Sequence, residues 1–493
     1  MKIIIIGAGP GAYETALLAA RRGVEVTLIE ASEVGGTCLN EGCIPTKSFC
    51  KNAQLLDEFQ DAEQYGITYD NLKFDFKSVR ERKNAVVEQL KTGVETLLGH
   101  KLITLVRGRA RFKDQHTVTV IPTGHSETPS QAQPQDYSAD YIIVATGSVP
   151  ASLPIPGADL PGVLTSKEIL DIDHVPGRLC VIGGGVIGLE FASIFRSFGS
   201  EVTVVEYCKD ILPRFDTDLA KRLKQSLGKR GIEINTQSQV LSIAENEGEY
   251  EVAFSRKGKE EKIVADTVLM AVGRRAALDS LNFSDIGVDT SRKGVEVNEF
   301  MQSSIPHIYA IGDINGQMML AHAATFQGIV ALDHIMGIRN GIDLSVMPAA
   351  VFTSPEAASV GLTEDECKEK GIPVKCLKSF FRANGKAVTM GETDGFCKIV
   401  VAAAPKDPTA LKDQVALKDQ SAPKDQVAPK DHTVLSEYPE GRILGCHLYG
   451  PHASDIVQEV CALINRKATV EDFKDIIHTH PTLTEVLQSA LHN

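Results

Sequence analysis

Residues 3–30 read IIIIGAGPGAYETALLAARRGVEVTLIE. Four consecutive isoleucines form an all-apolar strand of the kind buried on both faces. Gly7, Gly9 and Gly11 follow, with Ala12 at the third motif position, where alanine is tolerated. A helical stretch and a second strand come next, ending in Glu30. This is a β-α-β dinucleotide fingerprint. Its glycines let backbone approach a pyrophosphate, and the helix start offers free amides and a positive dipole end. An acid closing the second strand bonds ribose hydroxyls.

The pattern recurs at 179–206, LCVIGGGVIGLEFASIFRSFGSEVTVVE. Gly183, Gly185 and Gly188 carry it, with Val186 and Ile187 between the last two, and Glu206 is the acid. The first glycine and the acid lie 23 residues apart in both copies, 7 to 30 and 183 to 206. One such match is weak; two in full strand–helix–strand context predict two bound dinucleotides. Glu206 favours NAD over NADP, because a carboxylate repels a 2′-phosphate. Tyr207 and Cys208 offer no arginine for that phosphate, and Lys209 is the nearby cation.

The chain has 493 residues, enough for three or four domains at about 150 residues each. Its formal charge of −13 argues against nucleic acid as partner. No run approaches the roughly 18 apolar residues of a membrane span, and MKIIIIGAGPG lacks the cleavage pattern of a signal peptide. Ten cysteines, mostly scattered singly, fit reduced thiols. These features predict a cytoplasmic protein with no membrane partner.

Two cysteines are not scattered. Residues 35–47, GGTCLNEGCIPTK, hold Cys38 and Cys43 just after Glu30. A zinc site would want two further Cys or His ligands close by, and none follows. A structural disulfide would close a very small loop in a reducing compartment and gain little. An exchangeable redox pair at a helix N-terminus, where the dipole lowers a thiol pKa, fits best.

These residues resemble the active-site signature of the FAD-dependent pyridine-nucleotide disulfide oxidoreductases. The LN and CIPTK choices are most similar to the dihydrolipoamide dehydrogenase branch of that family. Further landmarks follow in the family's order: VATGS at 144–148, AVGRR at 271–275, YAIGD at 309–313, MLAH at 319–322 and HTHPTLTE at 478–485.

The resemblance implies FAD at the first cradle and NAD at the second. For the flavin it implies contacts at Gly36, Thr37, Lys47, Ala110, Thr146, Gly147 and Ser148. It adds Asp313 on the ribityl chain, and Met319, Leu320, Ala321 and His322 on the other side of the cofactor. Lys47 pairs with Glu190 beside the flavin ring, and Val240 and Gly273 line the nicotinamide nucleotide with Glu190. No resident metal is expected.

A dithiol exchange needs a base, and histidine titrates in the right range, with a carboxylate to orient it. His480 with Glu485 offers that pair, although a histidine near a C-terminus is more often a surface residue and His478 stands close. The HPTLTE match implies His480 as base, Glu485 as its orienting acid and His478 as a neighbour outside the dyad. It implies that the dyad serves the other subunit of a homodimer. Cys38 would exchange with dihydrolipoamide borne on a lipoyl carrier protein, and Cys43 would lie nearer the flavin.

Glu41 departs from the small apolar residue common at its position, and a carboxylate there opposes a thiolate. Residues 122–138, polar and proline-rich, read as a flexible excursion between two strands. In 405–431, Lys-Asp recurs at 406, 412, 418, 424 and 430, with too few large apolar residues to build a core. It reads as a mobile insertion, about 403–434, between GFCKIVVA and GRILGCHLYG.

The expected fold is α/β: two Rossmann-like dinucleotide-binding domains and an α+β C-terminal dimerisation domain. The motifs divide the chain into an FAD domain at 1–148, an NAD domain at 149–272, a segment at 273–345 completing the FAD site, and an interface domain at 346–493. Two rival functions share features with this one. A glutathione- or mercury-type reductase is disfavoured by Glu206 and by the absence of a cysteine pair in the ending QSALHN. A docking subunit of a multienzyme complex, with the repeat as its contact, would not need the redox residues.

Overall fold

The computed structural model describes residues 1–123, 133–404 and 438–492. The Lys-Asp repeat and the middle of the 122–138 excursion lie outside them. The expected excursion at 122–138 is shorter than its sequence suggests, because Gln135–Ser138 is itself a strand, paired antiparallel with Thr117–Ile121. The strands flanking the repeat, Phe396–Ala402 and Ile443–Gly450, also pair antiparallel as direct neighbours. The described chain forms two compact units, Met1–Tyr207 with Ile232–Leu344, and Cys208–Gly231 with Ser345–Asn493.

The first unit holds two parallel five-stranded sheets. In one, the order is Ile308–Ala310, Tyr141–Val144, Lys2–Ile6, Glu25–Glu30 and Ile103–Arg107. The isoleucine strand is central and its four isoleucines are buried, as an all-apolar run requires. The chain goes one way from it to Glu25–Glu30 and the other way to Tyr141–Val144. That makes the carboxyl end of Lys2–Ile6 a topological switch point, where open α/β sheets place ligands. The second sheet repeats the plan. Arg178–Ile182 is central, Glu201–Val205 and Ile232–Asn235 lie to one side, and Thr267–Met270 and Val163–Leu164 to the other.

The second unit is an antiparallel five-stranded sheet ordered Ala349–Val351, Glu356–Gly361, Ile443–Gly450, Phe396–Ala402 and Val374–Phe380. Its two strands Phe396–Ala402 and Ile443–Gly450 are buried along their whole length. Apolar side chains of the helices Ala453–Asn465 and Glu485–Leu491 share a core with them.

The segment Cys208–Gly231 follows directly from the second cradle in sequence yet belongs to this unit. A buried charge explains why. Lys398, on a core strand with a side chain only 2% exposed, reaches Asp216 at 2.9 Å, Asp218 at 3.2 Å and Glu364 at 2.6 Å. Asp216 caps the helix Thr217–Lys229 by accepting from the amides of Asp218 and Leu219. Removing one partner from a buried ion pair strands the other charge. Lys398→Met is expected to destabilise the protein by about 3–5 kcal/mol, read as a fall in the urea midpoint. An unchanged midpoint would mean that the cluster contributes nothing net.

Candidate active site

The two glycine cradles have the same local physics. Gly7 and Gly183 have φ of +105° and +114°, and a Cβ there would meet the carbonyl oxygen of Ala145 or Ala271 at 2.3 Å. Only glycine makes that turn. A Cβ on Gly185 would meet nothing within 4 Å, and one on Gly9 only the Gly36 Cα at 4.0 Å. Space is therefore left over both helix starts, at Pro10–Arg21 and Val186–Ser197. The third glycines serve packing. Gly188 abuts the Gly183 carbonyl, and Gly11 abuts Ala324 of the helix Ala321–Ile335. Ala12 is buried in the core.

Both strand-end acids are fixed from the cradle. Glu30 accepts from the amides of Ala8 at 2.6 Å and Ser32 at 2.7 Å. Burial pushes its carboxyl up, against the pull of those amides. Glu206, buried, accepts from the amide of Gly184. Each carboxylate thus binds the residue just after the first glycine, which aims it across the cradle mouth.

The other strands of the first sheet end at the same rim. After Tyr141–Val144 come Thr146, Gly147 and Ser148, and after Ile308–Ala310 comes Asp313. Ser148 Oγ donates to Asp313 at 2.5 Å and accepts from Arg274 Nε at 2.7 Å. Burial holds the Asp313 carboxyl above the usual carboxylate range, opposed by the Ser148 bond and the Arg274 charge. The Thr146 hydroxyl is buried with no hydrogen-bond partner. An orphaned hydroxyl beside an open glycine cradle is the donor set a dinucleotide fits.

Ala110 lies buried on the strand Arg109–Phe112. Leu320 caps the helix that begins at Ala321, with Met319 before it and His322 exposed in its first turn. Val240 is buried in the core of the second sheet. Gly273, at φ +112°, faces open space at that sheet's rim.

Between these regions sits the thiol pair. Cys38 lies on the short helix Gly36–Glu41, with Thr37 before it, and Cys43 is the first residue of the 18-residue helix Cys43–Gln60. Gly36 is held against Gly9, where a Cβ would come within 2.7 Å of the Gly9 Cα. Both cysteines are free thiols, so the structure shows the dithiol form. The Cys38 hydrogen bond brings the Cys43 pKa down to about 7; burial and Glu190 oppose that shift, while Lys47 reinforces it. The same bond and burial push the Cys38 thiol far up. Of the two, Cys43 is therefore the one that ionises first. Lys47 Nζ meets both carboxylate oxygens of Glu190, at 3.0 and 2.8 Å. Burial disfavours the ammonium, yet Glu190 outweighs it and the Lys47 pKa is raised.

In the second unit, His480 Nδ1 lies 2.9 Å from Glu485 Oε1. The other oxygen of Glu485 accepts from the Thr482 amide at 2.8 Å. That amide and His480 hold the Glu485 carboxyl below its ordinary value. An ionised carboxylate only accepts, so Nδ1 is the nitrogen that donates to Glu485. The ring is 77% exposed. His478 differs: it is 5% exposed, its Nε2 is 2.9 Å from Glu459 and its Nδ1 is 3.2 Å from the Ile476 carbonyl. Both its nitrogens are engaged within the fold.

Two site residues escaped the sequence reading. Arg274 was visible in AVGRR but carried no assigned role. Lys167, paired with Glu41 at 2.5 Å, has no local sequence signal at all.

Residues 1–328 match the sequence profile of the pyridine nucleotide-disulphide oxidoreductases, and residues 347–407 and 432–491 match that family's dimerisation domain. The dihydrolipoyl dehydrogenase of Chlamydia muridarum is 37% identical over 492 residues, 99% of this chain and 96% of that protein. The chain belongs to the pyridine nucleotide-disulphide oxidoreductase family. The dihydrolipoyl dehydrogenase of Geobacillus stearothermophilus is 36% identical over 99% of this chain and 94% of that protein. Among solved structures, the HOCl-induced flavoprotein disulfide reductase RclA from Escherichia coli superposes with a TM-score of 0.81. It is 26% identical, covering 100% of this chain and 99% of RclA. LpdA from Mycobacterium tuberculosis, 23% identical with a TM-score of 0.85 over 100% of this chain and 99% of its own, shares the fold. The gap in the family match at 408–431 falls within the Lys-Asp repeat. Among the described residues no helix is long and apolar enough to cross a membrane.

Proposed function

We propose that this chain oxidises dihydrolipoamide, borne on a lipoyl carrier protein of a 2-oxoacid dehydrogenase or glycine-cleavage complex, and reduces NAD. The observation that carries this reading is the thiol pair, Cys38 on the short helix and Cys43 at the start of the next, with Lys47 four residues on held by both oxygens of Glu190. The cofactors are FAD and NAD. The first cradle, with Glu30, Thr146, Ser148 and Asp313, would hold FAD; the second, with Glu206 and Gly273, would hold NAD. FAD supplies two-electron transfer between the dithiol and the nicotinamide. The domain division is 1–148 with 273–345 for FAD, 149–272 for NAD save Cys208–Gly231, which joins the C-terminal unit, and 346–493 for dimerisation, in a cytoplasmic homodimer.

The chain's own residues handle sulfur and protons. In the oxidised enzyme a substrate thiolate attacks Cys38, the Cys38–Cys43 bond breaks, and Cys43 leaves as a thiolate. The second substrate thiol then displaces Cys38, releasing cyclic lipoamide and leaving the dithiol. The partner subunit's His480 takes the substrate's thiol proton at Nε2. Lys47 stabilises the Cys43 thiolate by charge, and Glu190 fixes that lysine in place.

Steady-state reduction of NAD, and separately of NADP, by dihydrolipoamide tests the reading. Fast NAD reduction is expected, with NADP far slower. Glu206→Ala is expected to narrow that preference roughly tenfold, the effect of about 1.4 kcal/mol of like-charge repulsion removed. An FAD-loaded enzyme that ignores dihydrolipoamide but reduces another disulfide would overturn the substrate.

A further inference from the structure

AVGRR at 271–275 leaves the rim of the second sheet, yet its first arginine reaches the first cradle. The strand Arg274–Ala276 pairs antiparallel with Ser148–Pro150, with Arg274 opposite Pro150 and Ala276 opposite Ser148. The Arg274 guanidinium holds Ser148 at two points. Nε donates to the hydroxyl at 2.7 Å, and Nη2 donates to the carbonyl oxygen at 2.9 Å. A guanidinium has no lone pair to offer, so the Ser148 hydroxyl accepts from it. The single proton of that hydroxyl is left for Asp313 Oδ2, at 2.5 Å. The direction of both hydrogen bonds is thus set from one end, Arg274 to Ser148 to Asp313. The line finishes on an acceptor, which is what an ionised carboxylate supplies.

The electrostatics run the same way. Burial pushes the Asp313 carboxyl up, and the Ser148 bond and the Arg274 charge pull it back. Burial likewise lowers the Arg274 guanidinium, and Asp313 leads the charges that oppose this, ahead of Glu41 and Cys43. The second arginine of the motif is placed differently. Arg275 is 57% exposed and pairs with Asp279 at 2.8 Å.

We propose that Arg274 is a positioning residue of the FAD site, acting through Ser148 to hold Asp313 as an acceptor for the cofactor's hydroxyl groups. The inference rests on the reading of the first cradle as the FAD site. It gives AVGRR a task at the flavin, although the motif stands at the end of the NAD domain. FAD carries hydroxyls on its ribityl chain and its ribose, and hydrogen bonds to an ionised acceptor are the stronger kind. Protonating Asp313 therefore loosens the cofactor. Without Arg274 the carboxyl protonates at a higher pH, so affinity is lost sooner as pH falls. A rival role is purely mechanical: the arginine could buttress the pairing of its strand with Ser148–Pro150. That role would alter affinity by the same factor at every pH.

The test is the dissociation constant for FAD, read from the flavin fluorescence released on dilution of the holoenzyme between about pH 5 and about pH 9. Arg274→Met is expected to weaken binding, and its loss of affinity on acidification is expected to begin about one pH unit above that of wild type. One unit is a roughly tenfold weaker hold at a pH on that slope. Ser148→Ala cuts the line at one hydroxyl and keeps the buried guanidinium. It is expected to shift the profile the same way by less, and it serves if Arg274→Met does not fold. Arg275→Met is the control and is expected to overlay wild type. An Arg274→Met or Ser148→Ala profile displaced evenly, with no shift along the pH axis, would overturn the inference. So would an equal shift in Arg275→Met. A wild-type chain that takes up no FAD would overturn the reading of the cradle itself, and the inference with it.

Discussion

Cys43→Ser is expected to lower dihydrolipoamide-dependent NAD reduction by roughly a thousandfold or more, because no second route leads from substrate to nicotinamide. Serine matches cysteine in shape but forms no disulfide and holds no anion near neutral pH. Cys43 begins the helix Cys43–Gln60, where its backbone conformation suits serine equally well. The variant should therefore fold, bind flavin and melt within about 2 °C of wild type. Cys38→Ala should be as inactive, but for another reason: it removes the sulfur that exchanges with substrate and leaves the Cys43 thiol without its hydrogen-bond donor. The two variants separate in their alkylation profiles. In Cys38→Ala the thiolate step at Cys43 should move up from about 7, since the Cys38 bond is the largest cause of its depression. Turnover retained by Cys43→Ser within tenfold of wild type would remove the pair from the reaction and leave a docking role for the chain.

The parts of this molecule that were legible in its sequence are those fixed by backbone sterics. Gly7 and Gly183 stand where any side chain would strike a carbonyl, so the cradle carries its own signature. The acids 23 residues further on were equally legible, because the strand that bears them must end beside that turn. Both Rossmann-like sheets follow from these constraints, and the structure has them; the C-terminal α+β unit was expected only from the family resemblance, and the structure has it too. What stayed hidden depends on contacts between residues distant in the chain. The helix Thr217–Lys229 looks like a continuation of the second cradle's domain. Its cap, Asp216, finds its partner on Lys398 and carries the segment into the C-terminal unit. Lys167, the ion-pair partner of Glu41, is likewise invisible from the local sequence. His478 and His480 were separated in the sequence only by the family's motif. In the structure the distinction is one of burial and of free nitrogen lone pairs.

That distinction yields the second large effect. His480→Gln is expected to lower kcat by roughly a hundredfold to ten-thousandfold, the usual contribution of a positioned general base. The glutamine keeps a hydrogen-bonding group next to Glu485 but cannot accept and return a thiol proton. The loss should shrink as pH rises and the substrate thiols ionise on their own, which a folding defect would not do. Glu485→Gln should cost less, since Nε2 survives while the ring loses its orienting carboxylate and the imidazolium its stabilising charge. His478→Gln supplies the control. Its ring is packed against Phe473 and tied to Glu459, so that variant should lower the melting temperature and leave the pH profile of turnover unchanged. If His478→Gln removed turnover and His480→Gln did not, the base would be the buried histidine. The Glu459 pair would then have to break for catalysis, and the exposed His480–Glu485 pair would be no more than a cap on the helix Glu485–Leu491.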